Sequence, residues 1–203
     1  MIKGHADSRV VSRIKPAKVA RVGIVGTGVI GGGWALHFLA QGLDVVAYDP
    51  DPDCERRFAG MRDNAWPALE RLGLKPGAAP DRIRFVSSLE QAVADADVVQ
   101  ESSPEVLDSK IEILARIDAA TATDTVLLSS TSGLRMTDMQ VKCRHPERTV
   151  VGHPFNPPYL IPLVEVVGGE RTAPDAVDWA AEFYTAFGKR VVKMHREVPG
   201  FIA

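Results

Sequence analysis

At 203 residues, 45% hydrophobic and 25% charged, with a formal net charge of −2, the sequence has the profile of one ordinary soluble domain able to bury a substantial core. That balance excludes a polycation built for nucleic acid, and no apolar run approaches the roughly 20 residues of a membrane helix. The two cysteines, Cys54 and Cys143, have neither metal-ligand spacing nor the number a disulfide framework needs, so a reducing, cytoplasmic setting without a bound metal is expected.

Residues 1–18 carry Lys3, Arg9, Arg13, Lys15 and Lys18 without a long apolar stretch and read as a flexible basic tail. Residues 19–25 are a short β-branched run, suited to a buried parallel strand. It leads directly into Gly26-Thr27-Gly28-Val29-Ile30-Gly31 and then a helix-like stretch that stops at Gly42. A second strand, residues 44–48, ends at Asp49. Strand, G-x-G-x-x-G, helix, strand and acid together make the dinucleotide-binding pattern, far more specific than the glycines alone. Gly26 would allow the tight turn, Gly28 the approach of backbone amides to a pyrophosphate, and Gly31 close packing of the helix on the strand. Asp49, 23 positions after the first glycine, can accept both ribose hydroxyls and would repel a 2′-phosphate, which selects NAD(H) over NADP(H). The cofactor-binding set is therefore Gly26, Thr27, Gly28, Val29, Ile30, Gly31 and Asp49. His37, on the apolar helix, reads as a core or flank histidine.

Residues 52–72 are helical with an interruption expected near Pro67, and residues 73–80 are a break. A helix of that length after the second strand is an insertion relative to the minimal fold. Further strands are expected at residues 83–86, 96–102, 126–130, 149–152, 163–167 and 190–194. Helices are expected over 87–93, with a serine N-cap, and at 108–120, 137–143 and 174–188. In such a sheet ligands bind beyond the carboxyl ends of the strands. Glu105 and Lys110, just past one such end, are candidates for contacts with the nicotinamide ribose or the catalytic loop; an exposed charge pair at a helix start is the alternative. Ser132 stands past another end, where its hydroxyl could bond a substrate oxygen or the carboxamide of the cofactor. No nucleophile elbow surrounds it, so a hydrolase is not indicated.

The stretch from Val151 to Val167 holds His153 and Glu165, twelve positions apart, with Pro157, Pro158 and Pro162 between them. The prolines exclude a helix across the gap and point to a rigid loop that folds back. Brought together, carboxylate and imidazole make a general base; the alternative is a turn-capping histidine and a structural ion pair.

Across residues 19–203 the sequence resembles the 3-hydroxyacyl-CoA dehydrogenase superfamily. The residues that carry the likeness are Gly26 to Gly31, Asp49, Glu101 with Glu105 and Lys110, Ser130-Thr131-Ser132, the His153-x-Phe155-Asn156-Pro157 loop with Glu165, and Pro199-Gly200-Phe201-Ile202. The resemblance implies a Rossmann-type, doubly wound, mostly parallel sheet and NAD-dependent oxidation of a 3-hydroxy acid to the 3-oxo acid. The runs 64–69 and 151–171 point to the branch of the family that converts L-carnitine to 3-dehydrocarnitine. On that likeness His153 takes the hydroxyl proton, Glu165 orients it, Ser132 holds the substrate oxygen and Asn156 fixes the loop. Acyl-CoA members usually carry an aromatic directly after the histidine; Pro154 stands here and favours a free acid. Another 3-hydroxy acid, a 3-hydroxyacyl-CoA and a non-catalytic NAD-binding role stay open. The NAD-binding domain is expected over 19–198, and 199–203 as the start of a linker to a C-terminal helical domain. The family usually dimerises through that domain, so this chain is expected to be the cofactor domain alone, weak in turnover, with a possible homodimer only where the second domain is present. The partner is a small-molecule substrate, not nucleic acid or membrane. For a trimethylammonium group, Phe155 and Tyr159 are the nearby aromatic candidates, with loop or core packing as the alternative.

Overall fold

The computed structural model describes residues 13–198 and Gly200; the expected tail through residue 12, and linker residues 199 and 201–203, lie outside them. Among the described residues, strands β1 (Arg21–Val25), β2 (Asp44–Tyr48), β3 (Ile83–Phe85), β4 (Val98–Glu101), β5 (Val126–Ser129), β6 (Thr149–Pro154), β7 (Leu163–Gly168) and β8 (Arg190–Lys193) form one sheet. The spatial order is β3-β2-β1-β4-β5-β6-β7-β8. Pairing is parallel throughout except between β6 and β7, which are antiparallel. This is the Rossmann-type, mostly parallel sheet expected from the sequence.

Adjacent strand residues divide between the two faces, as period-two geometry requires. Ile24, Ala47, Val98 and Leu128 pack with α1 (Val29–Ala40), α2 (Cys54–Leu72) and α6 (Pro174–Ala186), while Val25, Val46, Val99 and Leu127 face α3 (Leu89–Val93) and α4 (Leu107–Ala120). A short α5 (Met136–Met139) closes the second face near Val151 and Val167. Both faces are covered, so the central strands are apolar on both sides. That explains why they read as continuous hydrophobic runs. The first face holds most of the aromatic mass: Trp34 stacks on Phe38 at 5.3 Å, and Phe183 stacks on Trp179 at 5.4 Å.

Three sequence expectations change. Helix α2 runs unbroken through Pro67. Pro67 lies on the exposed side, where water can take the carbonyl its missing N–H leaves unbonded. The helix expected over 137–143 is one α turn followed by a 3-10 turn at Gln140–Lys142. The basic tail expected through residue 18 is docked from Arg13 onward: Pro16–Lys18 form a 3-10 turn, Arg13 pairs with Asp175, and Trp179 Nε1 donates to the Ile14 carbonyl at 2.6 Å. An indole buried against the sheet needs an acceptor, and the chain before β1 supplies it.

Candidate active site

Beyond the carboxyl ends of β1, β4, β5 and β6 lies a cleft with two lobes. One lobe, of about 590 Å³, is walled by Gly26, Gly28, Val29, Tyr48 and Asp49 and floored by Leu89, Ile113 and Arg116. The other, of about 570 Å³, is walled by Glu105, Ser130, Ser132, His153, Phe155 and Asn156. Ile30, Ser102 and Ser103 line both, so the lobes are continuous.

The first lobe depends on backbone shape. Gly26 turns the chain at φ +87°, and a Cβ there would meet the Ser102 carbonyl at 2.7 Å. A Cβ on Gly31 would stand 1.8 Å from the Gly26 carbonyl, so only glycine lets α1 start so close beneath the turn. At Gly28 a Cβ would meet nothing within 4 Å, since that position faces the cleft. Gly28 caps α1 without a side-chain hydrogen bond, and no acid lies in the first turn, so the positive end of the helix dipole is presented to the lobe. Asp49 stands at the lobe's edge and also holds its shape. It accepts from Thr27 N at 2.6 Å, from Thr27 Oγ1 at 3.1 Å and from Asp51 N at 3.0 Å. These features fit a dinucleotide: an amide-rich turn for the pyrophosphate, a carboxylate for the ribose and an apolar floor for a base.

Thr27 is a correction to the cofactor-contact set. It is only 1% exposed and its N–H is committed to Asp49, so it fastens β1 to β2 beneath the lobe. Lys110 is a second correction, 1% exposed and beneath the cleft. Its ammonium bonds both Glu101 oxygens, at 2.9 and 3.0 Å, and the Ser103 carbonyl at 3.0 Å. Glu101 also accepts from Ser103 N at 2.6 Å and Ser129 Oγ at 2.6 Å, which satisfies a fully buried carboxylate. Glu105 does reach the second lobe, 3.7 Å from the Lys110 ammonium. One of its oxygens accepts from Thr131 Oγ1 at 2.5 Å and from the N–H groups of Ser132 and Gly133, both at 2.9 Å. Burial pushes the Glu105 carboxyl upward, but those hydrogen bonds and Lys110 outweigh it and hold its pKa below the ordinary value. Through Glu105 the loops after β4 and β5 are one unit, and Ser132 is held in the cleft wall by its own N–H.

His153 and Glu165 meet. They are directly opposite each other in the β6–β7 register, and His153 Nδ1 lies 2.8 Å from Glu165 Oε2. Cross-strand neighbours on one face stand about 5 Å apart at Cβ, so the hairpin itself sets this contact. Glu165 is buried at 2% exposed, whereas the His153 ring lines the cleft. The expected proline loop is present, with a cis Asn156–Pro157 bond, and it carries Asn156 and Phe155 to the wall of the same lobe. The Phe155 ring lies 5.5 Å from that of His153. Tyr159 instead packs on the core. His37 is buried, with Nε2 2.9 Å from the Phe187 carbonyl.

Sequence reading missed the polar floor between the lobes. Ser130 Oγ accepts from Gln100 Nε2 at 2.9 Å and Trp34 Nε1 at 3.2 Å, lies 2.8 Å from Ser102 Oγ, and Gln100 in turn accepts from Tyr184 OH at 2.6 Å. The signal for it was Gln100, a polar side chain in the middle of a central strand. It expected the helix that is α4 but missed that Ile113 and Arg116 on it floor the first lobe; nothing in its amphipathic pattern separates a core-facing from a cleft-facing residue.

The sheet order and the glycine turn at its switch point define a dinucleotide-binding domain of the Rossmann type. Residues 21–198 match the model of the 3-hydroxyacyl-CoA dehydrogenase, NAD binding domain, and the chain belongs to that family. It is 65% identical over 188 residues to an L-carnitine dehydrogenase of Streptomyces griseus subsp. griseus, covering 93% of this chain and 56% of that protein. A Streptomyces coelicolor L-carnitine dehydrogenase is 62% identical, over 93% of this chain and 59% of the relative. The chain therefore spans a little over half the length of these relatives. Among solved structures, 3-hydroxybutyryl-CoA dehydrogenase from Escherichia coli K12 superposes with a TM-score of 0.83 at 30% identity, covering 91% of this chain and 40% of that one. The NAD+-dependent dismutase 5-formyl-3-hydroxy-2-methylpyridine 4-carboxylic acid 5-dehydrogenase gives 0.84 at 35% identity, covering 91% of this chain and 60% of that one.

Proposed function

We propose that this domain serves NAD-dependent oxidation of a 3-hydroxy acid to its 3-oxo acid, with L-carnitine converted to 3-dehydrocarnitine. The observation that carries the reading is the His153–Glu165 contact of 2.8 Å at the cleft wall, continuous with a lobe shaped for a dinucleotide. NAD, bound along Gly26, Gly28 and Asp49 with Val29 and Ile30 at the helix start, supplies the hydride acceptor.

The chain's own residues account for the proton. With Nδ1–H donated to Glu165, His153 is fixed in the tautomer whose Nε2 takes the proton of the substrate hydroxyl. The buried Glu165 carboxylate then stabilises the imidazolium by charge and hydrogen bond. Ser132 offers its hydroxyl to the substrate oxygen, and Asn156 holds the loop beside it. Phe155, on the cleft wall, supplies an aromatic face to a quaternary ammonium. Pro154 in place of an aromatic, and 65% and 62% identity to the two Streptomyces proteins, favour L-carnitine over an acyl-CoA.

No helix among the described residues is long and apolar enough to cross a membrane. A cytoplasmic setting and a homodimer built through further chain belong to the same proposal; the buried thiols of Cys54 and Cys143, which make no disulfide, agree with a reducing compartment. The test is NADH titration of this chain, then NADH formation from L-carnitine by a form extended beyond Ala203 to the length of its relatives. NADH binding with carnitine-dependent turnover in the longer form is expected. Binding without turnover on L-carnitine would transfer the assignment to another 3-hydroxy acid.

A further inference from the structure

Lys189 is buried, at 5% exposed, and among the described residues no carboxylate lies within ion-pair distance of it. A cation in such a place is costly, and burial lowers its pKa to about 8. What surrounds the ammonium is specific. It donates to the carbonyl of Pro158 and, at 3.0 Å, to that of Ile161, and it lies 4.9 Å from the centre of the Trp34 ring. Its own N–H donates to the Tyr184 carbonyl at 2.8 Å, which anchors the base of the side chain on the end of α6.

Both carbonyls belong to the turn in which the N–H groups of Leu160 and Ile161 donate to the Pro157 carbonyl, each at 3.0 Å. That turn directly follows Phe155 and Asn156 in the cleft wall. Pro158 also rests on α1: a Cβ on Gly33 would meet its Cδ at 2.7 Å. Trp34, the aromatic partner of the ammonium, donates Nε1 to Ser130, which lines the same lobe. One side chain thus meets the proline loop, α1 and, through Trp34, the strand end that precedes Ser132.

We infer that Lys189 is a positioning residue: its ammonium, reaching from beneath, clamps the proline loop so that Asn156 and Phe155 keep their places beside His153. The inference rests on the reading of this lobe as the catalytic one. A methionine would fill the same space and leave two carbonyls without a donor, whereas an arginine keeps charge and donors.

The experiment compares Lys189→Met, Lys189→Gln and Lys189→Arg by amide hydrogen exchange on this chain and by steady-state kinetics on the longer form. Lys189→Met is expected to speed exchange at Leu160 and Ile161 tenfold or more, leave the β1 and β4 amides unchanged, and leave the NADH dissociation constant within twofold. In the longer form kcat should fall tenfold or more with KM for NAD unchanged, and Lys189→Arg should restore part of it. Unchanged exchange at Leu160 and Ile161 would overturn the clamp. So would full kcat with only a fall in global stability, and Lys189→Gln is read in the same way where the Met variant does not fold. If the wild-type longer form oxidises no 3-hydroxy acid, the proposed activity fails, while the exchange result still decides the clamp.

Discussion

At the dinucleotide end of the cleft, Gly26, Gly28 and Gly31 act through the side chains they lack. At the other end, His153 and Glu165 are proposed to act through the side chains they have. The first end is local: turn, helix start and Asp49 fall within 24 residues, and no distant contact is needed to see what they do. The second is assembled by a hairpin that reverses a parallel sheet, so its geometry depends on register. Backbone sites should therefore fail by losing shape, and side-chain sites by losing chemistry with shape intact.

The largest expected effect tests the backbone half. Gly31→Val puts branched carbon where a Cβ already lies 1.8 Å from the Gly26 carbonyl. NADH binding, followed by fluorescence titration, should disappear, and binding within tenfold of wild type would refute the steric account. Next comes His153→Ala. In the longer form turnover should fall roughly a thousandfold, within the span of general-base catalysis, while NADH affinity of this chain stays within about twofold. Loss of both together would show that the two ends are not separable. Glu165→Gln keeps a hydrogen-bond partner but removes the charge, so kcat should fall about a hundredfold, at the low end of general-base effects and less than for His153→Ala. Asp49→Ala belongs to both classes, because its carboxylate faces the lobe and also holds Thr27. NADH binding should weaken about tenfold, roughly 1.4 kcal/mol, and the preference over NADPH should narrow. Competition titration with both cofactors measures the two effects separately.

The same contrast explains what could be read before the structure. Gly26, Gly28, Gly31 and Asp49 carry a spacing that only one local geometry satisfies, so their places followed from the chain alone. For His153 and Glu165 the residue types and the prolines between them suggested a meeting, but not that it would be a cross-strand pair. Lys110 reads as a cofactor contact because it stands just past a strand end, with a solvated pair to Glu105 as the alternative; the partner that buries it, Glu101, comes from inside a strand. Thr27 was misread because its place inside the glycine motif hid that its N–H is already bonded. The Ser130 floor and the Lys189 clamp draw on four or more segments each, and no periodicity records such convergence.

Beneath both ends lies α1, and its buried face gives an effect on stability instead of binding. His37 sits there with Nε2 against the Phe187 carbonyl; burial, and then the nearby Lys189 charge, hold its pKa well below the usual 6.5. The unfolded chain therefore takes up a proton near pH 6.5 that the folded chain refuses, so ν is larger for the unfolded state just below that pH. Stability should be flat above pH 6.5 on this account and fall below it by up to about 1.4 kcal/mol per pH unit. Lys189 acts in a different window with the same sign. Folded near 8 and unfolded near 10.5, it binds fewer protons in the folded state between those values, so stability should rise as pH climbs from about 8 to 10.5. Urea unfolding followed by tryptophan fluorescence measures both limbs. Lys189→Met should abolish the alkaline rise and leave the acid fall, because His37 keeps its burial when the charge beside it is gone. An acid fall that vanished as well would mean that charge, and not burial, sets the protonation of α1.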